Sequence, residues 1–241
     1  MTALFINTSS QYLSNGSPAV TTFPITVGFW FQPSASAVRT AWSLTDTAGT
    51  ANFWQIGHTA SQWRISVNST AGGLSNTSFG NYTPSQRAWA FAVGRIISAT
   101  NRRMAVYYSG SVTGGVIQHG AGTTSSDPSA AVDRMALGSL AHSTPTNFLD
   151  GYMGEFWYTN TDIQPDGLQL DDSLLLALAF GGPFSVPHVA ADLIEYRSML
   201  QYPGDSLGDM GQFDYWRTSI PTWVNNGGVS VGIDRALPYT Y

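Results

Sequence analysis

Between Ile25 and Phe31 the chain alternates. Ile25, Val27, Phe29 and Phe31 fall on one face of an extended segment, and Thr26, Gly28 and Trp30 on the other, before Pro33 ends it. The same period of two returns at 63–68, where Ile65 and Val67 alternate with Arg64 and Ser66. Short strands are expected at 3–13, 41–44, 53–57, 63–68, 89–95, 103–108 and 133–138. Turn chemistry separates them: Asn15-Gly16, a loop over 46–52, a reversal over 58–62, a loop marked by Gly72-Gly73 and Ser75-Asn76, a hairpin turn around Ala99 to Asn101 that takes in Arg102-Arg103, and a Gly-rich turn over 110–115. The Gly/Ser/Thr-rich stretch 120–131 has no periodicity and reads as loop.

The segment Asn147 to Asn160 organises the rest. It opens on the turn pair Asp150-Gly151. Tyr152, Gly154, Phe156 and Tyr158 then fall on one face of a strand, and Met153, Glu155, Trp157 and Thr159 on the other. Both faces are apolar apart from Glu155, so this strand should be covered on both sides, with a bulky group packed over Gly154.

After Asn160 the period changes. Leu168, Leu170, Leu174, Leu175, Leu176 and Leu178 predict a helix over 166–180, capped by Asp171 or Asp172 and stopped by Gly181-Gly182. Val189, Leu193, Ile194 and Leu200 predict an amphipathic helix over 189–200 that packs on its own sandwich. A strand-like run follows at 219–228. Val229, Val231, Ile233, Arg235, Leu237, Pro238, Tyr239 and Tyr241 then form an apolar terminal arm, a candidate partner interface. The expectation is an all-β antiparallel sandwich over 1–162, with an extension over 163–241 that carries one or two short helices, a late strand and the arm.

Composition narrows the functional classes. The chain has 241 residues, 43% hydrophobic and 13% aromatic, which suffices for a core of one large β domain. Charged residues are only 10%, against roughly 25% in ordinary soluble domains. Ser, Thr, Asn, Gln and Gly must therefore build the surface, which suits a protein packed among neighbours. All ten basic residues are Arg, a side chain favoured at interfaces. A net charge of -5 argues against nucleic-acid binding. Cysteine is absent, so no disulfide or thiolate metal site forms. No apolar run is long enough to span a membrane, and the first residues lack the pattern of a signal peptide.

Four phrases carry a family likeness. Phe23-Pro-Ile-Thr-Val-Gly-Phe-Trp-Phe-Gln-Pro33, Arg87-Ala-Trp-Ala-Phe-Ala-Val93, Met104-Ala-Val-Tyr-Tyr-Ser-Gly110 and the Asp-Gly-Tyr-Met-Gly-Glu run ending at Tyr158-Thr-Asn160 resemble, in order, core strands of laminin-G-like domains. Those belong to the concanavalin A-like lectin/glucanase superfamily. The likeness implies a jelly-roll sandwich. Residues 181–241, with Leu193 to Tyr196 and Arg235 to Tyr239, resemble the tail that follows such domains in tailed-phage virion proteins. Arg-Ser-Met stands where that pattern has an aromatic residue, Pro and Leu.

Because the superfamily includes glucanases, paired acids are the first chemistry to seek. A retaining glycosidase needs two carboxyls about 5–5.5 Å apart. The positions two and four residues beyond Glu155 are Trp157 and Thr159, so no second acid joins it on that strand. Asp205, Asp209 and Asp214 read as turn formers. No Gly-x-Ser-x-Gly elbow is present, and His58, His119, His142 and His188 are expected in loops. No enzyme is expected. Asp46 and Asp127 are the residues best placed for Ca2+, but neither lies in a clustered acidic run, and no cofactor is expected. Trp54, Trp63, Tyr107 and Tyr108 are the candidate glycan contacts, as rings on which a sugar stacks.

The resemblance implies a non-enzymatic virion structural protein. The expected role is capsid decoration: docking on the major capsid protein and on copies of itself as a homotrimer, at the capsid surface, after synthesis in the host cytoplasm. The alternative is a carbohydrate-binding module or tail-fibre adhesin that recognises host glycans.

Overall fold

The computed structural model describes residues 2–5, 10–33, 38–60, 62–79, 89–108, 116–197, 224–226 and 230–233. The first strands are β1 (Thr2–Phe5), β2 (Tyr12–Asn15), β3 (Ile25–Pro33), β4 (Arg39–Thr45), β5 (Phe53–His58), β6 (Trp63–Ser69) and β7 (Gly73–Phe79). Then come β8 (Ala90–Ser98), β9 (Asn101–Tyr108), β10 (Val116–Gly122), β11 (Arg134–Leu137) and β12 (Gly151–Thr159). Helices α1 (Asp172–Gly181) and α2 (Pro187–Ala191) precede β13 (Leu193–Arg197), β14 (Val224–Asn226) and β15 (Ser230–Ile233).

These strands form two antiparallel sheets. The first runs β10-β9-β8-β3-β12-β1-β15, with β13 also on β12; the second runs β14-β2-β11-β4-β5-β6-β7. The architecture is the expected all-β sandwich. Three strands from beyond residue 162 pair into it: β13 on β12, β14 on β2 and β15 on β1.

The alternation in β3 sets the layers. Ile25, Val27, Phe29 and Phe31 enter the core between the sheets, with Trp42, Leu44, Trp54, Ile56, Trp63 and Ile65 facing them. Trp30 points the other way, into a second core against Leu175, Leu178, Ala179, Val186 and Val189. Its indole N–H donates to the Ala179 carbonyl at 3.1 Å, so the buried ring keeps a polar partner. The first sheet is thus buried on both faces, by the second sheet and by a helical layer. This explains why β12 is apolar on both sides.

Several expectations change. The parity of β12 breaks at a bulge: its register with β3 shifts between Met153 and Phe156. Met153, Phe156 and Tyr158 therefore share the inter-sheet core, while Tyr152 and Trp157 face the helices. The glycine under a bulky ring is Gly28, where a Cβ would lie 2.2 Å from two Trp157 ring carbons.

The helix expected over 189–200 is instead the short α2 followed by β13. Asp192, at φ -100 and ψ 5, leaves the helix, and the open edge of β12 takes Leu193–Arg197 as a strand. The loop marked by Gly72-Gly73 and Ser75-Asn76 is mostly strand, β7 (Gly73–Phe79); its pairing with β6 comes from backbone bonds that a polar sequence does not advertise. Residues 120–122 belong to β10 rather than to a loop. Arg102 and Arg103 lie in β9, beyond the turn. Val231 and Ile233 lie in β15, at the edge of the chain's own first sheet, and are not part of a free arm. Val229, Arg235, Leu237, Pro238, Tyr239 and Tyr241 lie outside the described residues, as do Asp205, Asp209 and Asp214.

Helix α1 starts at Asp172 with Asp171 at its N-cap position, as the capping expectation has it, although the helical run is expected from 166. A 3-10 turn at Pro165–Gly167 precedes it, with Asp166 and Gly167 at positive φ, and it ends at Gly182 with φ 67. Its run from Leu174 to Phe180 is apolar on all sides. Leu175, Leu178 and Ala179 are buried, but Phe180 is 46% exposed.

Candidate functional site

Of the four aromatic rings proposed as sugar platforms, Trp54, Trp63 and Tyr107 are buried and Tyr108 is half-buried. Trp54 is 1% and Trp63 0% exposed, because their strand parity turns them between the sheets. Trp63 meets Phe31 edge-on with ring centroids 4.5 Å apart. Tyr107 lies under Phe180 in the helical layer, at 5.2 Å. Tyr108 is half-buried, and its hydroxyl donates to Gln118 Oε1 at 3.0 Å; burial pushes its phenol pKa up.

The outer face of the second sheet carries a polar row: Ser14, Ala136, Ser43, Gln55, Ser66 and Asn76 stand side by side across six strands. It has the chemistry of a sugar-binding floor. Ser43, Gln55 and Ser66 are nevertheless buried, and Ser43 is hydrogen-bonded to the Ser139 carbonyl at 2.7 Å. Two loop aspartates do turn work. Asp46 accepts from the Ala48 N–H at 2.8 Å, and Asp127 from the Ser129 N–H at 2.9 Å. Among the described residues no group of three or more His, Asp or Glu is placed to hold a metal ion.

The histidines are less loop-bound than their neighbours suggest. His58 ends β5 in the core, stacked on Phe31 at 5.8 Å. Its Nδ1 is 3.0 Å from the Thr59 carbonyl; a carbonyl only accepts, so Nδ1 carries the proton. Burial above all lowers its pKa to about 4, with the nearby Arg39 and Arg64 adding to the shift and the Thr59 bond opposing it. His119 lies in β10, with Nε2 2.7 Å from Asp172 Oδ1 at the start of α1.

His119 lines a cleft on the outer face of the first sheet. Strands β8, β9 and β10 place Arg95, Arg103, Ala105 and His119 on the outer face of the first sheet, and the strap that leads into α1 crosses over them with Gln169 and Leu170. The cleft encloses about 190 Å³.

Arg95 fixes the strap. Its Nε donates to Asp162 Oδ1 at 2.7 Å, Nη1 to the Leu168 carbonyl at 2.6 Å and Nη2 to the Gln164 carbonyl at 3.0 Å. Burial lowers its pKa, Asp162 raises it and the neighbouring Arg103 lowers it. Asn101 adds a bond from Nδ2 to the Gly167 carbonyl at 3.4 Å and accepts from Arg103 Nε at 3.1 Å. Among the described residues no carboxylate pairs with Arg103. Nothing in the sequence marks this cleft, because its strap side is irregular backbone with no periodic signal.

No family model matches this sequence, and no curated protein matches it. Solved structures do. The heptameric SAP-like pentraxin of Limulus polyphemus aligns over 96% of this chain and 94% of its own at 13% identity, with a TM-score of 0.50. Domains LG4-5 of the mouse laminin α1 chain align over 71% of this chain at 15% identity and a TM-score of 0.47. The LG1-3 region of the laminin α2 chain aligns over 65% at 11% identity and a TM-score of 0.47. This chain spans 43% and 31% of those two laminin chains. At such identities the likeness is one of fold: the chain is an antiparallel jelly-roll sandwich of the concanavalin A-like kind.

Proposed function

We propose that this protein is a non-enzymatic structural component of a tailed-phage virion, docked on the outer shell as a capsid decoration protein. The observation that carries the reading is the apolar side chains left open in and around the helical layer. Leu168 in the strap, Phe180 at the end of α1 and Phe184 just after it are 57%, 46% and 42% exposed, on a chain with only 10% charged residues. An all-apolar helix is ordinarily covered on every side. Apolar surface left open on a soluble chain marks a contact site. The partner in this reading is the coat subunit, with further copies of the chain, as a trimer, sharing the contact by lattice multivalency. The tail likeness supports the virion placement; the four strand phrases and the comparisons speak only to the fold.

The test is cosedimentation with purified shells. The intact chain should saturate them, and Phe180→Asp with Phe184→Asp should lower occupancy at least tenfold while the fold persists by circular dichroism. Equal occupancy for the double variant would overturn the reading. A deletion that probes the terminal arm should begin at Asp234, so that β15 is kept.

Glycan recognition is the second reading, favoured by the cleft that holds Arg103, His119 and Gln169. Reproducible binding on a glycan array without shell binding would select it.

A further inference from the structure

We infer that the cleft beneath the strap is a binding site for a compact oxyanion: a carboxylate, sulfate or phosphate, free or carried on a sugar. Three basic side chains line it, and two have their acid. Arg95 is held by Asp162, and His119 by Asp172. Arg103 is the third. Its strand register puts it directly opposite Arg95, an arrangement of like charges that destabilises a sheet unless each is compensated. Arg95 is compensated. Arg103 has one side-chain bond, from Nε to the neutral Asn101, and no ion pair among the described residues.

The fork of a guanidinium matches the two oxygens of a carboxylate, sulfate or phosphate. A cleft of about 190 Å³ is smaller than the roughly 300–1,000 Å³ that take drug-sized ligands, so it suits one such group and little more. The Gln169 amide lies on the strap side, where it could supply a neutral second donor. The strap itself is fixed by Arg95, so the site is formed before any ligand arrives. This inference does not rest on shell docking, which is tested at Phe180 and Phe184, away from the residues substituted here.

The experiment is titration of the full chain with sodium sulfate, phosphate, glucuronate and, as neutral control, galactose, followed by 1H–15N spectra at constant ionic strength. Saturable shifts of the Arg103, His119 and Gln169 amides with at least one anion, and none with galactose, are expected. The anion that saturates first identifies the class. Arg103→Gln should weaken that binding at least tenfold; as the side chain is only half-buried, the variant should keep the wild-type spectrum elsewhere. Absence of saturable shifts in the wild-type chain, or unchanged affinity in the variant, would overturn the inference. Should Arg103→Gln fail to fold, Arg103→Lys is the substitute: it keeps the charge, loses the fork, and should weaken carboxylate binding measurably, with unchanged affinity counting against the site.

Discussion

The Trp157 indole packs directly against Gly28 on the neighbouring strand, closer than any side chain at position 28 would allow. The pair is the point at which β3 and β12 meet the helical layer. Gly28→Ala should force the ring out of its place among Trp30, Leu175 and Leu178, and lower stability by about 1–3 kcal/mol. Urea unfolding monitored by Trp fluorescence should show a lower midpoint with an unchanged slope. An unshifted midpoint would mean that the ring has room to move.

Removal of Arg95 should release the strap rather than the sandwich. Arg95→Ala leaves Asp162 and the carbonyls of Gln164 and Leu168 without their donors, a loss of about 3–5 kcal/mol for a buried ion pair broken on one side. Hydrogen exchange should rise over 162–171 while β4, β5 and β6 stay protected. Uniform acceleration in both sheets would show that the strap is not a separate unit.

Acid should weaken the protein through His58. Its folded pKa of about 4 lies below the ordinary value of 6.5, so the unfolded chain binds the proton first. The stabilisation is fully present above about pH 6.5 and is lost as pH falls towards 4, on the order of 3 kcal/mol in all. Burial lowers the His142 pKa too, which adds in the same direction. His58→Gln should flatten the pH dependence of the unfolding midpoint between pH 6.5 and 4.5. An unchanged slope would remove His58 as its source.

The hold of β13 on the sheet can be read through Tyr196, whose hydroxyl donates to Glu155 Oε1 at 2.9 Å. Tyr196→Phe should lower stability by about 1.5–3 kcal/mol, the range for a hydrogen bond to a carboxylate. Glu155→Gln keeps an acceptor and should lose less. Equal losses from the two variants would point to packing rather than to this bond.

The sequence showed the sandwich wherever one face is apolar and the other is not. Ile25 to Phe31 and Trp63 to Val67 have that pattern and became β3 and β6. It misled where backbone geometry decides. The bulge at Gly154 and Glu155 shifts every later residue of β12 to the opposite face, and no side chain announces it. Leu193 to Arg197 has helical spacing with Val189, but the vacant edge of β12 outweighs local preference. Trp54 and Trp63 were legible as strand residues but not as core, since an aromatic ring suits a binding surface and an interior equally. The cleft escaped altogether: Arg95, Arg103 and His119 share one face only through the register of β8, β9 and β10, and the strap that covers them comes from the distant stretch 162–170.

The place of β1, between β12 and β15, ties Thr2 to Ile233. β1 cannot gain its second neighbour until the chain through Ile233 has left the ribosome. Pairings of such long range are slow to form, because a very large loop must close before the contact stabilises it. The nascent chain should therefore pass through a stage with an unpaired β1 edge, open to holdase chaperones and to edge-to-edge mispairing with other unfinished copies.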